Sequence, residues 1–210
     1  IDAGDTERVR DIVRELHYAD VADLLERLSR EYRARAVEII RDIFDPEVLS
    51  ELDETVREDV VNALGVKEVA SALSELDSDD AVFVLEEMDA AQQQLYLEHV
   101  NEEDRSLIEQ GLSYPEDSAG RLMQREVVTV PSQWNVGQCI DYIRRRADSG
   151  DDELPSVFYD IFAVDGEDHP VGAVSLSRLL STRRQVPVAE VMEEDMHVIN
   201  VATDQEDVAF

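Results

Sequence analysis

Apolar residues in the first half of the chain keep one register of 24 residues. Leu28, Leu52, Leu76 and Val100 are spaced by 24, and each is followed at once by a residue of helix N-cap type: Ser29, Asp53, Asp77 and Asn101. Three further sets keep the spacing: Leu25, Leu49, Leu73 and Leu97; Leu16, Ile40, Leu64, Met88 and Leu112; and Val13, Val37, Val61 and Leu85. Within each segment apolar residues fall at i, i+3 and i+4, as in Val37, Ile39 and Ile40, which is the period of an amphipathic helix. A lone pair of short helices cannot bury its apolar face, whereas stacked neighbours can. Residues 5–112 therefore read as an α-helical superhelix of about 24-residue repeats, each a short helix, a capped turn and a second helix.

The pattern changes at "YPEDSAGRLM", residues 114–123. Pro115 stops the last helix, and Ala119 and Gly120 allow a tight path. Leu122 and Met123 are expected to enter a new core, which makes the stretch a hinge. "VVTV" then reads as a strand, "NVGQCIDYIRRR" as an amphipathic helix and "DSGDDELP" (148–155) as a polar loop. "SVFYDIFAVD" reads as a strand, "GEDH" as a turn, and "PVGAVSLSRLL" as a strand running into a helix. This β-α-β-β-α order describes an α/β unit. Residues 121–136 have a counterpart in 190–208, with Met192 matching Met123 and Val201 matching Val130, so a second unit opens and is cut short. The expected division is 1–112 for the helical domain, 113–185 for the first α/β unit and 186–210 for the start of the second.

Charge narrows the function. Fifty acidic residues face 19 basic ones, a net of −31. Nucleic acid is excluded as a partner, because phosphate binding needs basic patches, and an anionic membrane surface is disfavoured. Two readings of the acidity stand side by side: carboxylates that meet divalent cations, or a solvated surface adapted to salt. Lys67 is the sole lysine, which fits the second. No apolar run is long enough to span a bilayer, and the first segment is charged throughout, unlike a secretory leader. Cys139 lies on an apolar stripe and reads as core filler. The four histidines show no zinc spacing. Trp134 reads as packing. No catalytic constellation is present, so the chain is not expected to be an enzyme.

The succession of "DPEVLSELD" within a helical repeat, "YPEDSAGRLM", and "AGRLM…VVTV…VFYDIFAVD…PVGAVSLSRLL" resembles the cytosolic part of the MgtE family of magnesium channels and transporters. The resemblance implies that the α/β unit is a CBS domain and that "VAEVM…VINVATDQEDV" opens a second. It implies a Mg²⁺-sensing regulatory region at the cytoplasmic face of the membrane, a homodimer through its CBS units, and a transmembrane pore outside this sequence. Mg²⁺ would bridge the acidic helical domain and the CBS region and favour the closed pore. Carried over residue by residue, the implied Mg²⁺ ligands are Glu47 of "EVLSEL", Asp79 with adjacent Asp80 of "DSDDAV", the backbone at Gly120, and Asp204 and Glu206 of "TDQE". Phe83 stands where the resemblance calls for a further acid. In the nucleotide pattern of CBS units Ser175 is in place, but Arg178 occupies the position of the ribose-binding acid. Two other functions stay open: an adenine-nucleotide-sensing CBS module, and a salt-adapted helical-repeat scaffold whose acids only face solvent, several of them favoured anyway in first helical turns.

Overall fold

The computed structural model describes residues 6–149, 154–155 and 157–209. Residue 5 of the repeat and residues 150–153 of the expected polar loop lie outside these. The chain divides into two compact units, one of residues 1–123 with 201–210 and one of residues 124–200.

The first unit is built from α1 (Thr6–Glu15), α2 (Tyr18–Glu26), α3 (Arg30–Ile40), a 3-10 turn (Arg41–Ile43), α4 (Val48–Glu51), α5 (Glu54–Leu64), α6 (Val66–Glu75), α7 (Ser78–Glu86), α8 (Ala90–Leu97), α9 (Glu102–Ser113) and α10 (Ala119–Leu122). Helices open at residues 6, 18, 30, 54, 66, 78, 90 and 102, so the structural period is 12, one helix per step. The 24-residue register is two such steps. The four apolar sets collapse into two columns, one running Val13, Leu25, Val37, Leu49, Val61, Leu73, Leu85, Leu97 and the other Leu16, Leu28, Ile40 and onward to Leu112. The first column is buried at all eight positions. The step due at residue 42 is the exception. Pro46 removes a backbone donor and disfavours helical geometry at Asp45, so a full helix is replaced by the 3-10 turn and the four-residue α4.

Ser29, Asp53, Asp77 and Asn101 each occupy the N-cap position that the sequence suggests, and the Asn101 side chain accepts from the Asp104 N–H. Asp89 and Gln92 form a reciprocal capping box at α8. Between α5 and α6 a single residue ends one helix and starts the next. That residue is Gly65, at φ +91°, a conformation in which a Cβ is strained.

Two arginines, 24 residues apart, tie successive helices together. Arg33 donates from Nε to the Leu25 carbonyl (3.0 Å) and from Nη2 to that of Leu28 (3.0 Å). Arg57 repeats this on Leu49 (3.0 Å) and Leu52 (2.8 Å). Each closes the carbonyls left open at the end of the preceding helix. Both are buried, and each charge is paired, Arg33 with Asp59 at 2.6 Å and Arg57 with Glu87 at 3.2 Å. Gln93 makes the same reach to the Leu85 carbonyl at 2.9 Å.

The second unit contains β1 (Thr129–Pro131), α11 (Val136–Ser149), β2 (Asp160–Val164), β3 (Pro170–Ser175), α12 (Leu176–Ser181) and a 3-10 turn (Val188–Glu190). This is the expected β-α-β-β-α order. β1 runs parallel to β2 with Val130 opposite Ala163, and β2 runs antiparallel to β3 with Ile161 opposite Val174. These four residues belong to the core, together with Cys139, Leu179, Val188 and others. Burial pushes the Cys139 thiol up to about 11, which suits inert filler. Trp134 packs edge-on against Tyr142. The turn at 165–169 is held by the Asp165 carboxylate, which accepts from the Glu167 and His169 N–H groups.

Two expectations are revised. Residues 198–201, the counterpart of the first strand, form no strand, and Val198 and Ile199 are exposed. The Val201 and Thr203 carbonyls accept instead from the Gly120 and Ala119 N–H groups, both at 2.8 Å. The 114–123 stretch belongs to the first unit and ends where the second begins in sequence. It packs within the helical unit, where Ser118 and Arg121 are buried. Leu122 is half exposed and Met123 lies in that same unit, so neither opens the α/β core.

Candidate cation site: carboxylates on two packed helices

Helices α4 and α7 pack against each other in the first unit. Glu47 is the N-cap of α4 and Glu51 its last residue; Asp77 is the N-cap of α7, and Asp79 and Asp80 fill its first turn. The break at Pro46 places acids here, since it starts α4 one residue after Glu47. The helices thus bring together Glu47, Asp79 and Asp80. They add Asp45, Glu51 and Asp77, which sequence reasoning missed; the repeated "LSELD" was the signal for Glu51 and Asp77, and Asp45 beside Pro46 had none.

The carboxylates perturb one another. Burial, then Asp79, Asp77 and Glu51, push Asp80 up to about 6. Burial also raises Glu47, with Asp80, Asp77, Asp45 and Asp79 adding to it. The Tyr18 phenol at the start of α2 is raised by burial and by Glu47, Glu51, Asp45 and Asp80. Three helix starts therefore converge on one region of negative potential, where a cation is favoured and a second negative charge is not.

Among the described residues no group of three or more His, Cys, Asp or Glu side chains stands in position to enclose a metal ion.

Gly120 and Asp204 lie on two neighbouring segments elsewhere in the same unit, and Glu206 follows Asp204 at the start of a short helix. Residues 201–205 lie along 117–120, with Ser118 opposite Asp204 and the Gln205 N–H donating to the Asp117 carbonyl at 2.8 Å. Asp204 caps α13 (Gln205–Val208), accepting from the Glu206 N–H at 2.8 Å. An open pocket of about 570 Å³ is lined by Glu116, Asp117, Ser118, Arg121 and Asp204, among others. Glu206 is exposed and outside that lining. Arg121 faces Glu86 of α7 at 4.0 Å.

Gly120 is held to its identity by a close approach. A Cβ there would stand 2.9 Å from the Tyr114 ring. Gly120→Ala is expected to destabilise the chain by about 1–3 kcal/mol, the usual range for overpacking, in urea unfolding. In a Tyr114→Ala background the same change should cost far less; an equal cost would show that the ring is not the cause.

Residues 16–117 match the family described as the MgtE intracellular N domain. The chain is 28% identical over 98% of its length to the magnesium transporter MgtE of Thermus thermophilus, covering 45% of that protein. It is 24% identical over 95% of its length to MgtE of Bacillus subtilis, covering 43%. It thus spans less than half the length of these relatives. Among solved structures it is similar to the cytosolic domain of the Mg²⁺ channel MgtE in complex with ATP, with a TM-score of 0.84 and 28% identity over 98% of this chain and 82% of that one. A structure described as the soluble part of a magnesium transporter shares the fold, with a TM-score of 0.82 and 24% identity over 98% of this chain and 79% of that one.

Proposed function

We propose that this chain is the Mg²⁺-sensing regulatory region of a magnesium channel or transporter; the match of residues 16–117 to the MgtE intracellular N domain and the likeness in fold to an MgtE cytosolic domain support this reading. Its place is the cytoplasmic face of the membrane, beside a transmembrane pore outside this sequence, and it works as a homodimer through its CBS units. Mg²⁺ bridges the acidic helical domain and the CBS region and so favours the closed pore. The implied ligands are Glu47, Asp79, Asp80, the Gly120 backbone, Asp204 and Glu206.

The observation that carries this reading is the crowding of Glu47 and Asp80 with like charges on α4 and α7. A divalent cation held between α4 and α7 would offset the repulsion among these carboxylates. Only ions that prefer one arrangement shift the balance. Moving it from about 1:99 to 99:1 takes roughly 5.5 kcal/mol of differential binding, which several weak sites can supply together.

The ATP-bound relative favours a second reading, a nucleotide-sensing CBS unit. Against it, Arg178 is placed where the ribose acid belongs and its Nη1 donates to Glu193 at 3.3 Å.

Melting in millimolar MgCl₂ against KCl of equal ionic strength tests the proposal. Mg²⁺ should raise the melting temperature where KCl does not. Equal stabilisation by both salts would reduce the acidity to a solvated, salt-adapted surface.

A further inference from the structure

Arg57 joins the two helices that carry the crowded acids. It is 4% exposed. Its Nε and Nη2 bond to the Leu49 and Leu52 carbonyls, which close the end of α4. Its Nη1 reaches Glu87, the C-cap of α7, and its guanidinium carbon stands 4.2 Å from the centre of the Phe83 ring on α7. One buried cation therefore grips α4 by its backbone and α7 by a ring face and a carboxylate. Arg33 holds Leu25 and Leu28 in the same way, yet its remaining nitrogen goes to Asp59 of α5, away from α7. The reach of Arg57 to Phe83 and Glu87 is what is particular to this step of the superhelix.

The arrangement solves a mechanical problem. Carboxylates on α4 and α7 repel, and α4 is only one turn long. It has few intrahelical bonds of its own to resist being pushed aside. A planar guanidinium suits the task, since its fixed donors serve two carbonyls while its face lies over an aromatic ring. Phe83, which replaces the acid called for by the resemblance, thereby acquires a role.

We propose that Arg57 is a positioning residue of the cation site: through Phe83 and Glu87 it holds the α7 carboxylates at a fixed separation from those of α4. This rests on the cation-site reading above. The residue itself touches no ion.

Mn²⁺ binding to the full chain, read by water-proton relaxation, tests it with Phe83→Leu, Phe83→Tyr and Glu47→Gln. Phe83 is 38% exposed, so both replacements should leave a folded chain. Phe83→Leu should weaken Mn²⁺ about fivefold, the equivalent of roughly 1 kcal/mol for a cation–π contact. Phe83→Tyr, which keeps the ring face, should stay within about twofold of the parent. If Phe83→Leu lowers the melting temperature but leaves Mn²⁺ affinity unchanged, the residue is merely structural and the positioning role is overturned. If Glu47→Gln binds Mn²⁺ as well as the parent, the cation site itself fails, and this role with it.

Discussion

Replacing Asp80 with Asn will raise the melting temperature of the metal-free chain and remove most of its response to Mg²⁺. Most substitutions of a half-buried residue destabilise, so an increase is diagnostic. The sign follows from the carboxyl itself. It is pushed up to about 6 from an ordinary 3.8, so above pH 6 the native state carries a charge that it binds less comfortably than the unfolded chain does. Native Asp80 holds its proton more tightly, so stability falls as pH rises from about 4 through 6. Burial and like charges act in the same direction at Glu47. One pKa unit corresponds to about 1.4 kcal/mol. With solvent screening the gain from Asn is about 1–2 kcal/mol, a few degrees for a chain of this size. The parent should therefore be more stable at pH 5 than at pH 7, and the variant much less pH-dependent across that range. Surface acids held by hydrogen bonds, such as Asp42 beside Arg10, act in the opposite sense but only at lower pH. Scanning calorimetry at pH 5 and 7, with and without MgCl₂, reads all of this. An Asn variant less stable than the parent, with its Mg²⁺ response intact, would remove Asp80 from the site.

How far the sequence led differs between the two units. In the helical unit the apolar columns and the caps at Ser29, Asp53, Asp77 and Asn101 were legible, because burial and capping act locally on every step. The halved period was hidden by the interrupted step at Pro46, where α4 takes the place of a full helix. The arginine grips were hidden for a different reason. Nothing in the residue type distinguishes a buried Arg57 from a solvated one, although its 24-residue spacing from Arg33 was visible. In the α/β unit the element order could be read from β-branched runs and turns. The fate of residues 198–201 could not, because whether an extended segment becomes a strand depends on which carbonyls and N–H groups it meets. The site was legible as a set of acids. Their crowding, which gives the set its physical character, became visible only when α4 and α7 were placed side by side.

The largest loss of stability is expected at Leu49. The residue is fully buried and lies on α4, the shortest of the first nine helices. Leu→Ala in a core costs about 2–5 kcal/mol, more where neighbours cannot collapse into the cavity. Here they cannot easily do so, because the Leu49 carbonyl is fixed by Arg57 at 3.0 Å. The cost should therefore fall near the upper end, a large share of the roughly 5–15 kcal/mol that holds an ordinary protein folded. Leu16→Ala is the control. Leu16 belongs to the second apolar column, yet it is 36% exposed where the equivalent Leu52 is 2%. It follows directly on α1 and is already partly in solvent, so its loss should cost less than about 1 kcal/mol. Urea unfolding of both variants reads the difference. Equal losses would mean that the exposure of Leu16 does not lower its contribution and that the two columns weigh alike. A large loss at Leu49 alone places the weight of the superhelix on its interrupted step, the one that carries Glu47.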